Sequence, residues 1–230
     1  MFLPLHDQNP LKVIPFQIVT SAVILFCLGI FLYQQYLPSD QSQALVVSFG
    51  MLPAVLFDHR QLAPEFVVVP AELTLLSSIF LHGGWLHLLG NMAFLWVFGD
   101  NIEDSMGHWR FLLFYCACGI FASLTHALVE VDSITPLIGA SGGVSGIMGA
   151  YLMLHPKVRI ILLVFLKIPL LLPAYLMIGG WLGLQVYSIV FAADAATAWW
   201  AHIGGFVAGV VLIPFFKHAS VPLFDRGTRH

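Results

Sequence analysis

Charge is the scarcest property of this 230-residue sequence: nine lysines and arginines and twelve aspartates and glutamates make up only 9% of it, for a formal charge of -3. So little charge cannot coat a water-soluble globule of this size, and no basic cluster exists to hold a nucleic-acid backbone. Cysteine is almost missing too. Cys27, Cys116 and Cys118 all fall inside apolar runs, so buried thiols are expected and no disulfide framework. What is present is apolar: 59% of the residues are hydrophobic and the mean hydropathy is +0.90. The apolar residues come in repeated runs of about 20, the length that crosses a bilayer.

The sequence therefore predicts an all-α membrane protein, residues 1–230 forming a single membrane domain with six transmembrane helices at about 13–36, 85–98, 111–129, 137–155, 173–191 and 199–216. The first run is too long for a signal-peptide core and no small-residue cleavage site follows it, so it reads as a retained span. Gln41 to Ser78 is half apolar, yet Pro53, Asp58, Arg60, Pro64, Glu65, Pro70 and Glu72 interrupt it. It is expected to be a long, ordered interfacial loop between helices 1 and 2. Residues 158–172, broken by Lys167 and Pro169, are expected to skim the membrane. With six spans, Lys12, Arg110, Lys157, Arg159, Lys167, Lys217, Arg226 and Arg229 share one side and Arg60 stands alone on the other. The positive-inside rule then makes both termini cytoplasmic. Asp40, Asp58, Glu65, Glu72, Glu130, Asp132 and Asp194 gather outside.

This topology brings the first turns of spans two, four and six to one depth in the outer half of the bilayer. They carry His82, His87 and Asn91, then Ser141, then His202. Polar and ionisable groups inside lipid are costly, so a cluster of them points to function. Ser141 sits in LIGASGGVSGIMGAY, a stretch rich enough in glycine to press against a neighbour, and Gly142 lies beside it; Gly205 and Gly209 give the span of His202 a matching small face. A serine hydroxyl needs a base, and His202 is the candidate. His87 and Asn91, four apart on one helical face, and the Ser141 N–H can donate to a developing oxyanion. No carboxylate lies in the apolar parts of these spans, so a Ser-His dyad is expected in place of a triad. Ser145, one turn deeper, is the second-choice nucleophile. A metal site from His82, His87, Asn91 and His202 is the weaker reading, since asparagine is a poor zinc ligand and no thiol or carboxylate joins the group. His126 reads as a packed or hydrogen-bonded histidine.

Four stretches, His82-Gly-Gly-Trp-Leu-His87-Leu-Leu-Gly-Asn91, Phe98-Gly-Asp-Asn-Ile-Glu103-Asp, Gly139-Ala-Ser141-Gly142 and Ala201-His202-Ile-Gly-Gly205, together resemble the rhomboid family of intramembrane serine proteases. The resemblance implies a rhomboid-like bundle with Ser141 as nucleophile, His202 as base and an oxyanion hole from His87, Asn91 and the Ser141 amide. His82, Gly139, Gly142, Gly205, Gly209 and Glu103 would be supporting residues, Glu103 in the loop after span two. It implies no cofactor. Substrates would be single-span membrane proteins that enter laterally past span five and are cut near the outer face at a small residue. In some members a tyrosine one turn after the nucleophile packs on the catalytic histidine; Ser145 stands there, so support for the His202 ring must come from elsewhere. Some members also have a Trp-Arg pair in the first loop, which this sequence lacks. A bacterial plasma membrane is the expected setting. A small transporter and a non-catalytic rhomboid-like chaperone or trafficking factor are the competing functions. The transporter reading suffers from the absence of a convincing internal repeat and of intramembrane carboxylates for a coupling ion.

Overall fold

The long apolar runs fold as helices that satisfy their own backbone, as lipid demands. The computed structural model describes residues 2–164, 167–191 and 198–225; Asp194, Arg226 and Arg229, which enter the charge pattern that orients the chain, lie outside the described residues. The chain enters through strand β1 (Phe2–Asp7) and then forms α1 (Ile18–Tyr36). The long connection contains the short helices α2 (Ser39–Phe49), α3 (Pro53–Leu56) and α4 (Thr74–Ser77), with 3-10 turns at Pro64–Phe66, Ala71–Leu73 and Ser78–Phe80. Then come α5 (Trp85–Met106), α6 (His108–Val129) and α7 (Ser141–Leu154), a hairpin of β2 (Arg159–Val164) and β3 (Ile168–Pro173), and finally α8 (Ala174–Phe191) and α9 (Trp199–Phe216).

Length and composition single out four of these helices as membrane-crossing, α1, α6, α8 and α9. The expected six-span count is modified in two places. Helix α5 qualifies only together with residues 71–80, from which it is bent by 82°; His87, Asn91, Asp100 and Asn101 lower the hydropathy of its own run. Helix α7 has only 14 residues, about 21 Å at 1.5 Å per residue, against a hydrocarbon layer of about 30 Å. Hydropathy places the start of the fourth span at residue 137, but Gly139 takes φ +122°, which is not helical, and the helix starts at Ser141.

The second departure is a sheet in a chain expected to be all helical. Residues 158–172, expected to skim the membrane, form most of an antiparallel hairpin, and β1 adds to it in the order β1-β2-β3. Each strand is too short for a stable helix, and β2, Arg-Ile-Ile-Leu-Leu-Val, favours the pleated form. Pro4 and Pro169 fall on the two edge strands, where a missing N–H costs no ladder bond.

Glycine sets the spacing of the central helices. A Cβ on Gly205 would lie 2.1 Å from the Gly142 carbonyl oxygen, and one on Gly209 would lie 1.9 Å from that of Gly146. On its other side α7 meets α6, where a Cβ on Gly142 would lie 2.4 Å from the Ala122 side chain and one on Gly146 2.4 Å from that of Cys118. Tyr115, Phe114, Phe98, Leu95 and Tyr151 fill the fully buried core around this contact.

At the opposite end of α7 from Ser141, carboxylates do the joining. Glu103, with no exposed surface, accepts from the backbone N–H groups of Val19 (2.9 Å) and Thr20 (2.8 Å), from the Thr20 hydroxyl (2.7 Å), and contacts His108. Asp104 accepts from the N–H groups of Lys12, Val13 and Ile14 at 2.9, 2.7 and 2.7 Å. These bonds tie the start of α1 to the end of α5 and supply the free N–H groups of a helix N-terminus with acceptors. Asp7, at the end of β1, receives the Tyr151 hydroxyl and, at 3.0 Å, the Asn101 amide. Burial holds the Asp7 carboxyl above its usual 3.8 in spite of those donors.

Two outcomes follow for stability. Gly209→Ala should separate α7 from α9 at a cost of about 1–3 kcal/mol or more, whereas Gly180→Ala on α8, where a Cβ meets nothing within 4 Å, should gain about 0.5–1 kcal/mol; thermal melts in detergent distinguish the two. For Asp7, the folded chain holds a proton that the unfolded chain releases above 3.8. Its contribution is therefore fully present at low pH and is lost as pH rises through the raised folded value. The melting temperature of Asp7→Asn relative to the unsubstituted chain should accordingly increase as pH is raised from the ordinary aspartate range upward.

Candidate active site

Because α7 starts at Ser141, the first N–H groups of that helix have no partner inside it. Beside Ser141 lies a cavity of about 830 Å³. Ser141 lines it from α7, His87 and Asn91 from α5, His126 from α6, Trp181 from α8, and Trp199 and His202 from α9. The polar rim residues Glu130, Ser133 and Thr135 belong to the connection that precedes α7. The shortened helix and the close α7–α9 crossing thus open a polar recess at Ser141.

The connection preceding Ser141 is held by the long first loop. Met51 and Leu137 exchange both backbone hydrogen bonds, the Ala54 N–H donates to the Ser133 carbonyl, and the Gly139 N–H donates to the Ser78 carbonyl at 2.9 Å. The loop is therefore a scaffold for the site. With φ at +122°, Gly139 occupies backbone that favours glycine, and a Cβ there would lie 2.6 Å from His87 Nε2. The ring of His87 consequently rests on the Gly139 backbone, two residues from Ser141. The Asn91 Nδ2 group is buried and has no hydrogen-bond partner among the described residues, and it too faces Gly139, at 3.8 Å from the same Cβ position.

His202 lies one turn before Gly205, the residue in contact with the Gly142 carbonyl, so its helix is pinned against α7 next to Ser141. Its ring is flanked by two indoles, Trp181 at 5.9 Å and Trp199 at 6.1 Å between centroids. Nδ1 lies 2.7 Å from Gln185 Oε1 of α8. These contacts supply the ring support that a tyrosine at position 145 would give. Ser145 itself is buried, and its hydroxyl donates to the Ser141 carbonyl at 2.6 Å, the usual back-bond of a serine inside a helix.

Residues 70–218, well over half of the chain, match the Rhomboid domain. The chain belongs to the rhomboid family. It is 30% identical over 152 residues to Rhomboid protein 1, mitochondrial, of Saccharomyces cerevisiae, covering 62% of this chain and 41% of that one. Two Bacillus subtilis proteins are also similar: the putative rhomboid protease YdcA, 34% identical over 103 residues (40% of this chain, 51% of that one), and the rhomboid protease GluP, 44% identical over 78 residues (34% and 15%). The matched stretches thus span about half or less of each of these relatives.

Of the residues singled out in this rhomboid's sequence, Ser141, His202, His87 and Asn91 line one cavity, with Gly139, Gly142, Gly205 and Gly209 at its close contacts. His82 precedes α5 instead of lying in its first turn; it is 1% exposed, its ring 5.2 Å from that of His87, and it buttresses that residue from behind. Glu103 is not in a loop and not at the site. It lies in the last turn of α5, since its long-range N–H donors allow the helix to continue through charged residues to Met106. His126, a packed or hydrogen-bonded histidine by its sequence setting, in fact lines the cavity with a buried Nδ1 unpartnered among the described residues. Gln185, Trp181 and Trp199 escape a reading of the sequence. A lone buried amide in the apolar α8 is the available signal for Gln185.

Gly139→Ala should force His87 off its seat and lower stability by about 1–3 kcal/mol. Gly29→Ala on α1, where a Cβ meets nothing within 4 Å among the described residues, should instead gain about 0.5–1 kcal/mol, as should Gly180→Ala. Thermal melts of the two variants check both.

Proposed function

We propose that this rhomboid chain, residues 1–230 acting as one membrane domain, is an intramembrane serine protease that hydrolyses peptide bonds of single-span membrane proteins with a Ser141-His202 dyad. The observation that carries this reading is the opening of Ser141, at the free N-terminus of a short α7, onto the same cavity as His202, His87 and Asn91. In the reaction, the Ser141 hydroxyl oxygen attacks the scissile carbonyl carbon while its proton passes to His202 Nε2. The carbonyl oxygen becomes an oxyanion that the Ser141 N–H, the Asn91 amide and His87 stabilise by hydrogen bonds. Collapse of this intermediate breaks the C–N bond, and the imidazolium returns its proton to the leaving amine. Water, deprotonated by His202, then hydrolyses the ester and restores the hydroxyl.

A recess of about 830 Å³ has room for the water that hydrolysis consumes, and donors partly shielded from bulk solvent act more strongly. Substrate helices would enter laterally beside α8 and present a small residue in an easily unwound segment near the outer face. The polar rim and the positive-inside distribution support an outward opening with cytoplasmic termini. We take the plasma membrane as the setting; the Bacillus relatives are named without an organelle, while the yeast relative is named mitochondrial.

The test is cleavage of a model single-span substrate by the purified chain in proteoliposomes. Ser141→Ala should lose cleavage by more than about a thousandfold, whereas Ser145→Ala should retain most of it. A folded protein that cleaves none of several such substrates would transfer the reading to a non-catalytic chaperone.

A further inference from the structure

Helix α8 is largely exposed, and the side it turns inward is one stripe: Ala174, Met177 and Ile178, then Trp181, then Gln185. Four of these five are apolar or aromatic, as a packing stripe should be. Gln185 is the exception, a 5% exposed amide that would be costly inside lipid without partners. It has them on both ends. Its Nε2 group donates, at 3.4 Å, to the Trp181 carbonyl one turn back, which orients the amide so that Oε1 points away from its own helix. That oxygen lies 2.7 Å from His202 Nδ1.

The chemistry of this contact is one-directional. An amide oxygen only accepts, so the proton of the bond must sit on Nδ1 of His202. A neutral imidazole carries one proton, so with it on Nδ1 the Nε2 atom has a free lone pair. We propose that Gln185 is a positioning residue that fixes His202 in the Nδ1–H tautomer, the one in which Nε2 can take the Ser141 proton. It occupies the place that a carboxylate fills in a Ser-His-Asp triad, with a neutral acceptor suited to a lipid-embedded site. Since Gln185 belongs to α8, the tautomer of the base also depends on α8 packing against α9. The inference rests on the protease reading given above for its consequence, though not for the tautomer itself.

The direct readout is 15N NMR of histidine-labelled protein in lipid, with the His202 signals assigned by their loss in His202→Asn. His202 should show a protonated Nδ1 and an unprotonated Nε2. In Gln185→Leu, apolar and similar in size, the ring should become a mixture of tautomers. Gln185→Glu, which keeps an acceptor at the same reach, should restore the single form. A His202 spectrum unchanged in Gln185→Leu overturns the proposal, whether or not the wild type cleaves anything, so this result stands apart from failure of the protease reading.

Kinetics give the second arm. Losing one hydrogen bond to a group that becomes charged in the transition state should lower kcat about 10- to 100-fold in Gln185→Leu, with KM little changed and with rescue in Gln185→Glu. If Gln185 served only to latch α8 shut, the leucine variant would admit substrate more easily and raise kcat/KM. That outcome contradicts the positioning role.

Discussion

The backbone of α9 touches the backbone of α7, and most of the architecture depends on that contact. Gly205 and Gly209 lie against the carbonyl oxygens of Gly142 and Gly146, at distances where no side chain fits. In lipid the hydrophobic effect gives helices no reason to associate, so close van der Waals packing of this kind carries much of the cohesion. It also fixes geometry. His202 is one turn from the first of these contacts and Ser141 is adjacent to its partner, so the same glycines that hold the helices bring an imidazole and a hydroxyl to one recess.

The two ends of the bundle are built by different physics. Around Ser141 the backbone is irregular, and the first loop supports it through hydrogen bonds between Met51 and Leu137, from the Ala54 N–H to the Ser133 carbonyl, and from the Gly139 N–H to the Ser78 carbonyl. Such backbone is tolerated at membrane depth where protein buries it or a polar cavity adjoins it. At the far end of α7, the carboxylates of Asp7, Glu103 and Asp104 receive buried donors from α7, α1 and the residues leading into α1, and lock the chain's beginning under the helices. Helix α8 is held less closely; a Cβ on Gly179, Gly180 or Gly183 would meet nothing within 4 Å among the described residues.

Much of this is legible in the sequence, and the reasons are particular. Lipid forces helices on long apolar runs, so α1, α6, α8 and α9 begin and end close to where hydropathy puts them. Ser141, His87, Asn91 and His202 can be grouped from the sequence because polar residues in apolar spans are costly and draw attention, and the four line one cavity. What escapes a sequence reading requires long-range partners. Nothing local reveals that the N–H groups of residues 12–14 and 19–20 will donate to Asp104 and Glu103, and without them a charged run reads as a turn. The hairpin at 159–173 gains its third strand from residues 2–7, at the opposite end of the chain's core. Gln185 is hidden for a similar reason, because its inward direction only emerges once α8 is set against α9.

The central claim is that this convergence makes one serine chemically unlike the others. It is tested most directly by treating the intact chain in proteoliposomes with a fluorophosphonate and mapping the adduct by tandem mass spectrometry, alongside His202→Ala. The account predicts a single phosphonylated residue, Ser141, and no adduct in the folded His202 variant. An adduct on Ser145, or equal labelling with and without His202, would contradict it.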